Sequence, residues 1–429
     1  MGSQKIEHYT HPAHFEPLLP GQHKMGPLLE RASDLTRAAS RLTLPAGQLP
    51  MRQLGELLRR MNSYYTNRLE GEHTRPSEIE RALHDDYSRS ADLARRQRLA
   101  VAHIRTELSC EAELDGWLAI EARLPRDSAF SSIAMDSVLA ALYGPEALQW
   151  LHRELFSELE AGDLRLTDGS SMVPGEFRER QVSVGRHEAP LHTAVPGFLG
   201  RWNDVYARAR RGEQSIVALA AAHHRLTWIH PFPDGNGRVA RLHSHLMLRS
   251  MGLTHGLWSP LRGFARTEER YKATLAAADE HRRGDLDGRG NLTEAGLIDW
   301  IDYCLDTFID QANFMGEQLN VATMRERIAA ALAFESSIRR SGVRSEALIP
   351  LHYLFATAGS IPRAAFKTMT GLGDRTATSL VSALVERGFL ESDTAYGDVR
   401  FGIPDHALRF YFPALWPEAE QEQASRGDA

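Results

Sequence analysis

Cysteine is almost missing from this 429-residue chain: Cys110 and Cys304 are the only two. They stand far apart, with no CxxC and no zinc-type spacing. That excludes a disulfide scaffold, and two reduced, buried thiols are expected. Lysine is nearly absent as well. Lys5, Lys24, Lys272 and Lys367 are the whole set, and arginine carries the rest of the positive charge. That bias points to a GC-rich bacterial source. No window approaches about 18 uncharged apolar residues, so no membrane span is expected. The opening MGSQKIEHYTHPAHFEP has no apolar core, so no secretory signal is expected, and the expected compartment is the cytoplasm. Charge of one sign is not in large excess either, with Lys+Arg 50, Asp+Glu 56 and a formal net charge of -6. This argues against a surface that binds nucleic acid throughout, although one domain could still do so.

What is present is ordinary globular material, 42% hydrophobic and 25% charged. A chain this long is expected to hold two to four domains at roughly 100–200 residues each. Apolar periodicity predicts helices over Pro27 to about Leu42, about Arg52 to Asn67, two within 76–125, and more within 133–162. Leu139, Leu142, Leu148, Leu151, Leu155 and Leu159 are core candidates in the last of these. Residues 162–189 break the helical pattern. Val182 and Val184 alternate with polar residues there, which predicts a β-hairpin or flap. Helices are expected again at about 196–211, 215–229, 238–251, 268–283 and 293–320, followed by a linking helix at about 320–341. Residues 345–416 read as three short helices, Glu346–Ala356, Pro362–Thr370 and Asp374–Arg387, and then two strands around Tyr396-Gly397. That is the pattern of a winged helix. The tail EAEQEQASRGDA is expected to be disordered.

The chemistry concentrates in Leu226 to Leu248. A helix should end at His230-Pro231, and Asp234-Gly235-Asn236-Gly237 should form a tight loop before a new helix at about Arg238. Gly235 and Gly237 permit a positive φ and a close approach of ligand to backbone. The amides of the loop and first turn then converge on one anion site. Arg238 and Arg241 are three apart and share a face near the helix N-terminus. Cations there oppose the helix dipole and are better tolerated with a phosphate between them. A histidine base, a carboxylate able to hold Mg²⁺, an amide nest and two arginines suit phosphoryl or nucleotidyl transfer.

The run HPFPDGNGRVAR resembles the signature of the Fic family, H-P-F-x-[D/E]-G-N-G-R-x-x-R, and meets every fixed position. The resemblance extends over roughly residues 50–320. It implies a mainly helical enzyme that moves AMP from ATP to a hydroxyl side chain of a target protein. His230 would deprotonate that hydroxyl. Asp234 would hold Mg²⁺. The Gly235, Asn236 and Gly237 amides would cradle the α- and β-phosphates, with Arg238 on the β-phosphate and Arg241 on the γ-phosphate. Gly175-Glu176-Phe177-Arg178, with Gln181-Val182, is similar to the family's flap, which pins an extended target segment over the site. Thr66-Asn67-Arg68-Leu69-Glu70-Gly71 is similar to its inhibitory motif, [S/T]-x-x-x-E-[G/N]. Glu70 would then pair with Arg241 and take the γ-phosphate position. Tyr271 lies where the family often has a tyrosine pair near the adenine end.

His223, His224, His243 and His245 read as packing histidines, since no HExxH-type spacing accompanies them. Between Glu346 and Arg409 six Arg/Lys face seven Asp/Glu, a net of -1. Packing or homodimerisation therefore stands ahead of DNA as the use of the winged helix. The expected fold is mainly α: a Fic-type helical core with a β-hairpin flap, plus a C-terminal winged helix. Its expected segments are an N-terminal helical region with the inhibitory helix (1–125), the core (126–320), a linking helix (321–344), the winged helix (345–416) and the tail (417–429). The expected function is a protein adenylyltransferase using ATP and Mg²⁺, auto-inhibited by Glu70, acting on a protein with a modifiable hydroxyl. Two alternatives stand beside it. One is a hydrolase in which Glu70 helps remove AMP. The other is a winged-helix transcriptional regulator with a nucleotide-sensing core.

Overall fold

A computed structural model describes residues 9–42, 50–123, 140–166, 168–185, 187–208, 212–254, 256–338, 341–357 and 359–415. Leu139 and the 417–429 tail lie outside these residues. The chain is mainly helical, as expected, and falls into two compact units. The first comprises the chain up to Ser40, Asn62–Thr254 and Ser259–Ala312. The second comprises Arg41–Met61, His255–Trp258 and the chain from Asn313. Among the described residues no helix is long and apolar enough to cross a membrane. Both cysteines are buried and unpaired with each other.

The centre of the first unit is the helix Glu213–Ile229. Nearly every residue from Ser215 onward is buried, so it is wrapped on all sides. Ala218, Ala220, Ala221 and Ala222 make it slim enough for close neighbours. Helices Met25–Ser40, Val195–Tyr206 and Asn236–Ser250 pack against it. Two tryptophans from outside fix its height, with Trp202 Nε1 donating to the Ala222 carbonyl at 3.0 Å and Trp300 Nε1 to the Ala220 carbonyl at 2.7 Å. Burying Arg225 inside this packing would be costly without partners. Its guanidinium donates to the Pro17 carbonyl at 2.8 and 3.2 Å.

Helix boundaries agree with the periodicity to within a few residues, with two informative exceptions. The helix after the glycine loop starts at Asn236, earlier than the expected Arg238. The six-residue helix Leu261–Arg266 is too short to show a period, so the sequence pattern did not reveal it. The expected hairpin is present in small form. Ser183–Val184 pairs antiparallel with His187–Glu188, in the register Ser183↔Glu188 and Val184↔His187.

In the second unit the helix Val321–Ile338 is followed by Leu348–Thr357, Arg363–Thr370 and Asp374–Glu386. A three-stranded antiparallel sheet sits with them in the order Ser360–Ile361, Val399–Phe401, Leu390–Glu391. The first of these strands has only two residues and gave no alternating pattern. Leu351, Leu354, Phe366, Leu380, Leu384, Phe389, Phe401 and Tyr411 fill the core of this unit. Tyr396 stands at the tip of the connection between the last two strands, 94% exposed.

Candidate active site

Three elements of the first unit meet at the glycine loop. The helix Glu213–Ile229 delivers His230, which terminates it in the left-handed conformation, φ 50 and ψ 61. That pose is rare outside glycine, asparagine, aspartate and histidine. It is held by Arg178, whose Nε donates to the His230 carbonyl at 2.7 Å and whose backbone N–H donates to the Pro231 carbonyl at 2.9 Å. The remaining Arg178 nitrogens go to the carbonyls of Arg180 and Pro190. This residue of the expected flap therefore ties the segment to the loop by main-chain carbonyls alone. Phe177 beside it packs on Phe232, 5.4 Å between ring centres. Gly175 has φ 89, and its carbonyl accepts from Gln149 Nε2 at 3.0 Å. Glu176 is exposed.

The loop is closed by Asn236, whose Oδ1 accepts from the Phe232 amide and whose Nδ2 donates to the Phe232 carbonyl, both at 2.8 Å. This explains the early start of the helix. Asn236 spends its side chain on the loop and leaves the first-turn amides without intrahelical partners. The Gly235 amide differs from the sequence-based expectation, because it donates to Asp234 Oδ1 at 2.6 Å. A Cβ on Gly235 would meet the Phe156 ring, and one on Gly237 would run into the Glu70 carboxylate.

His152 was not singled out from the sequence, yet it joins all the pieces. It stacks on Phe232 at 4.0 Å, accepts from the Gly175 amide at Nδ1 (2.8 Å), and reaches the Asp234 carbonyl through Nε2 (3.1 Å). An amide donor on Nδ1 and a carbonyl acceptor at Nε2 fix the neutral Nε2–H tautomer. It stands on the same helix as Leu148, Leu151 and Leu155, all buried.

Charge is arranged around the loop in two layers. Arg238 is buried and lies 4.8 Å from the centre of the Phe156 ring, with Nη2 3.4 Å from Asp234 Oδ2. Its Nε and Nη1 are buried without a hydrogen-bond partner. Arg241 is held by Thr66, through Nε to Oγ1 at 2.8 Å and Nη2 to the carbonyl at 3.1 Å. It also forms an ion pair with Glu70 and a hydrogen bond with Tyr271. Tyr271 is buried, and its hydroxyl lies 3.0 Å from His223 Nε2. Burial would raise the Glu70 carboxyl, but Arg241 and Arg238 outweigh it and hold the group below its ordinary range.

Burial pushes His230 down from the ordinary 6.5 to about 4. Its Nδ1 faces the Thr227 carbonyl at 3.3 Å, so Nδ1 carries the proton and Nε2 keeps its lone pair. The arrangement can therefore accept a proton at His230, bind an anion against Arg238 and the helix amides, and withhold Arg241 through Glu70.

The family model described as Fic/DOC matches residues 143–248, the segment that contains every part of this loop. These residues form a Fic/DOC domain. The chain is 40% identical over 83 residues to the "Protein adenylyltransferase Fic" of Drosophila sechellia, and equally to that of Culex quinquefasciatus. Each match covers 18% of this chain and 16% of the relative, so about a sixth of the relatives' length is spanned. A Fic family protein from Desulfovibrio desulfuricans has a similar fold, with a TM-score of 0.50 at 16% identity, covering 89% of this chain and 98% of that one.

The buried neutral histidines make stability acid-sensitive. Burial holds His152, His230 and His243 at about 4. Their unfolded value is about 6.5, so between those limits the unfolded chain binds more protons and stability falls as pH falls. By pH 5 each should cost about 2 kcal/mol. His245, whose value is raised by Glu107 and Glu111 against burial, works in the opposite direction. The urea midpoint should drop clearly between pH 7 and pH 5. An unchanged midpoint would contradict the buried neutral state.

Proposed function

We propose that the protein is an adenylyltransferase that moves AMP from ATP to a hydroxyl side chain of a target protein and is restrained by Glu70. The observation that carries this reading is Arg238: a buried guanidinium with two unpartnered nitrogens beside a helix N-terminus. Buried donors are rarely left unsatisfied, and an anionic ligand would satisfy both. Asn236, Gly237 and Arg238 supply the amides for the α- and β-phosphates, Arg238 the β-phosphate contact, and Arg241 the γ-phosphate contact once released. His230 takes the proton of the attacking hydroxyl. Gly175, Glu176, Phe177 and Arg178 lie on the segment against which a target peptide would be held.

Mg²⁺ fits the donor set. Asp234 is a single carboxylate, 54% exposed on its side chain, and Mg²⁺ commonly binds one or two carboxylates together with substrate phosphates. When bound it would neutralise charge on the phosphates. Asp234→Ala should lower transfer, and added Mg²⁺ should restore it poorly. EDTA that leaves wild-type transfer unchanged would remove the metal from this reading.

For the second unit we propose a winged helix used for packing or for pairing with a second copy. Its three helices and three-stranded sheet support that reading, and its net charge of -1 over residues 346–409 is a weak footprint for DNA. Incubation with α-labelled ATP and Mg²⁺, wild type beside Glu70→Gly, followed by intact mass, tests the central proposal. A mass increase of one AMP supports it, and no increase in either protein under any ATP concentration opposes it.

A further inference from the structure

The helix Ala91–Arg123 presents His103, Glu107 and Glu111 at intervals of four, which places them along one stripe. The stripe faces His245 from the helix Asn236–Ser250. These four residues are 1%, 1%, 6% and 2% exposed, respectively. Sequence reasoning set His245 aside as packing, because its neighbours in space lie more than 130 positions away.

Glu107, Glu111 and His245 converge, and His103 adjoins them through Glu107. His245 Nε2 lies 3.0 Å from Glu111 Oε1 and 3.5 Å from Glu107 Oε1. His103 Nδ1 lies 3.5 Å from Glu107 Oε2. One ligand atom from each of Glu107, Glu111 and His245 falls within 4.8 Å of the others. A tetrahedral ion with nitrogen and oxygen ligands at about 2.0–2.1 Å has ligand–ligand edges of about 3.3 Å. The three separations above, 3.0, 3.5 and 3.5 Å, bracket that value.

A second observation is independent of the carboxylates. Neither ring nitrogen of His103 has a hydrogen-bond partner, although the ring is buried and Nδ1 points at Glu107. A neutral imidazole always carries one N–H and one lone pair. Leaving both unsatisfied in the interior forfeits their solvation with nothing in return. A metal on Nδ1 would use the lone pair. The surrounding contacts resemble an outer shell that orients ligands. Asn62 Nδ2 donates to Glu107 Oε1 at 2.7 Å, and Arg249 Nη1 to Glu111 Oε1 at 3.0 Å. His245 Nδ1 has no partner, so the shell is incomplete on that side.

We propose that His103, Glu107, Glu111 and His245 form a buried structural site for one divalent transition metal, zinc by its ligand chemistry. Two imidazoles and two carboxylates suit Zn²⁺ over Mg²⁺ or Ca²⁺, which take mainly oxygen ligands. The site is closed by protein and distinct from the loop at Asp234. Bound there, the ion would clamp the helix that carries Arg238 and Arg241 onto the helix Ala91–Arg123.

The test uses the full chain carrying Asp234→Ala, so that metal at the nucleotide loop does not contribute. The protein is stripped with EDTA, incubated with Zn²⁺, desalted and analysed for bound metal. About one zinc per chain is expected. His103→Gln and Glu111→Gln in the same background should lower retention at least tenfold. Retention below a tenth of an equivalent, or equal retention in both folded variants, overturns the proposal. Should those variants fail to fold, Co²⁺ in the Asp234→Ala chain decides. An intense visible band of tetrahedral Co²⁺ is expected, and its absence with Co²⁺ in excess overturns the proposal. The neutral alternative, in which His245 and Arg249 simply balance the two glutamates, predicts no band and no retained zinc.

Discussion

Glu70→Gly should raise incorporation of AMP into the protein itself at least tenfold over wild type. Tenfold corresponds to about 1.4 kcal/mol of barrier. The Glu70 carboxylate pairs with Arg241 and lies over Gly237, where an added Cβ would strike it. The arginines beside it hold it ionised well below neutral pH. An anion in that position both occupies the guanidinium and repels a terminal phosphate. Removing it should not leave Arg241 loose, because Thr66 still holds its Nε and Nη2. The freed guanidinium would already point into the loop, so little ordering entropy should be lost on binding ATP. Arg241→Ala should abolish the gain even when combined with Glu70→Gly. Equal labelling of wild type and Glu70→Gly across a range of ATP concentrations would reduce the segment to an ordinary helix end. If Glu70→Gly instead stops loss of AMP from a pre-modified target, the carboxylate serves removal and the reaction runs the other way.

His230→Ala should lower transfer by about 10²–10⁴-fold, the range for loss of a positioned general base, with nucleotide affinity changed little. The imidazole is half-buried, with Nδ1 turned to the Thr227 carbonyl and Nε2 left as acceptor. The amides and Arg238, which would meet the phosphates, belong to the next helix and do not depend on the ring. Single-turnover transfer and equilibrium binding of a non-hydrolysable ATP analogue separate the two effects. Transfer kept to within tenfold would remove the base assignment, and a parallel loss of binding would make His230 a structural residue of the loop.

The sequence made the loop legible because its parts are contiguous: two prolines, two glycines, an asparagine and two arginines within twelve positions. Glu70 could be placed opposite Arg241 only through resemblance, since 171 residues separate the pair. Thr66 and Glu70 share one face of a helix end, which is what lets both reach the same guanidinium. His152 stayed hidden because a histidine in a leucine stripe carries no local mark of its partners. Its role depends on Gly175 and Asp234, each supplied by a different segment. The same reason hid the cluster at His103. Its three helical ligands are visible as a spacing of four, but their fourth partner comes from another helix. The strand Ser360–Ile361 was missed because its two residues show no alternation.

The left-handed backbone at position 230 also has a practical side. Alanine there loses the ring and must in addition hold a left-handed φ that histidine, asparagine and aspartate adopt more readily than alanine does. Asparagine adopts that conformation more readily, and Arg178 grips only the carbonyl of position 230. His230→Asn should therefore give an inert enzyme whose loop, flap and nucleotide cradle keep their native shape. Such a protein would act as bait, holding its target and ATP together without consuming either.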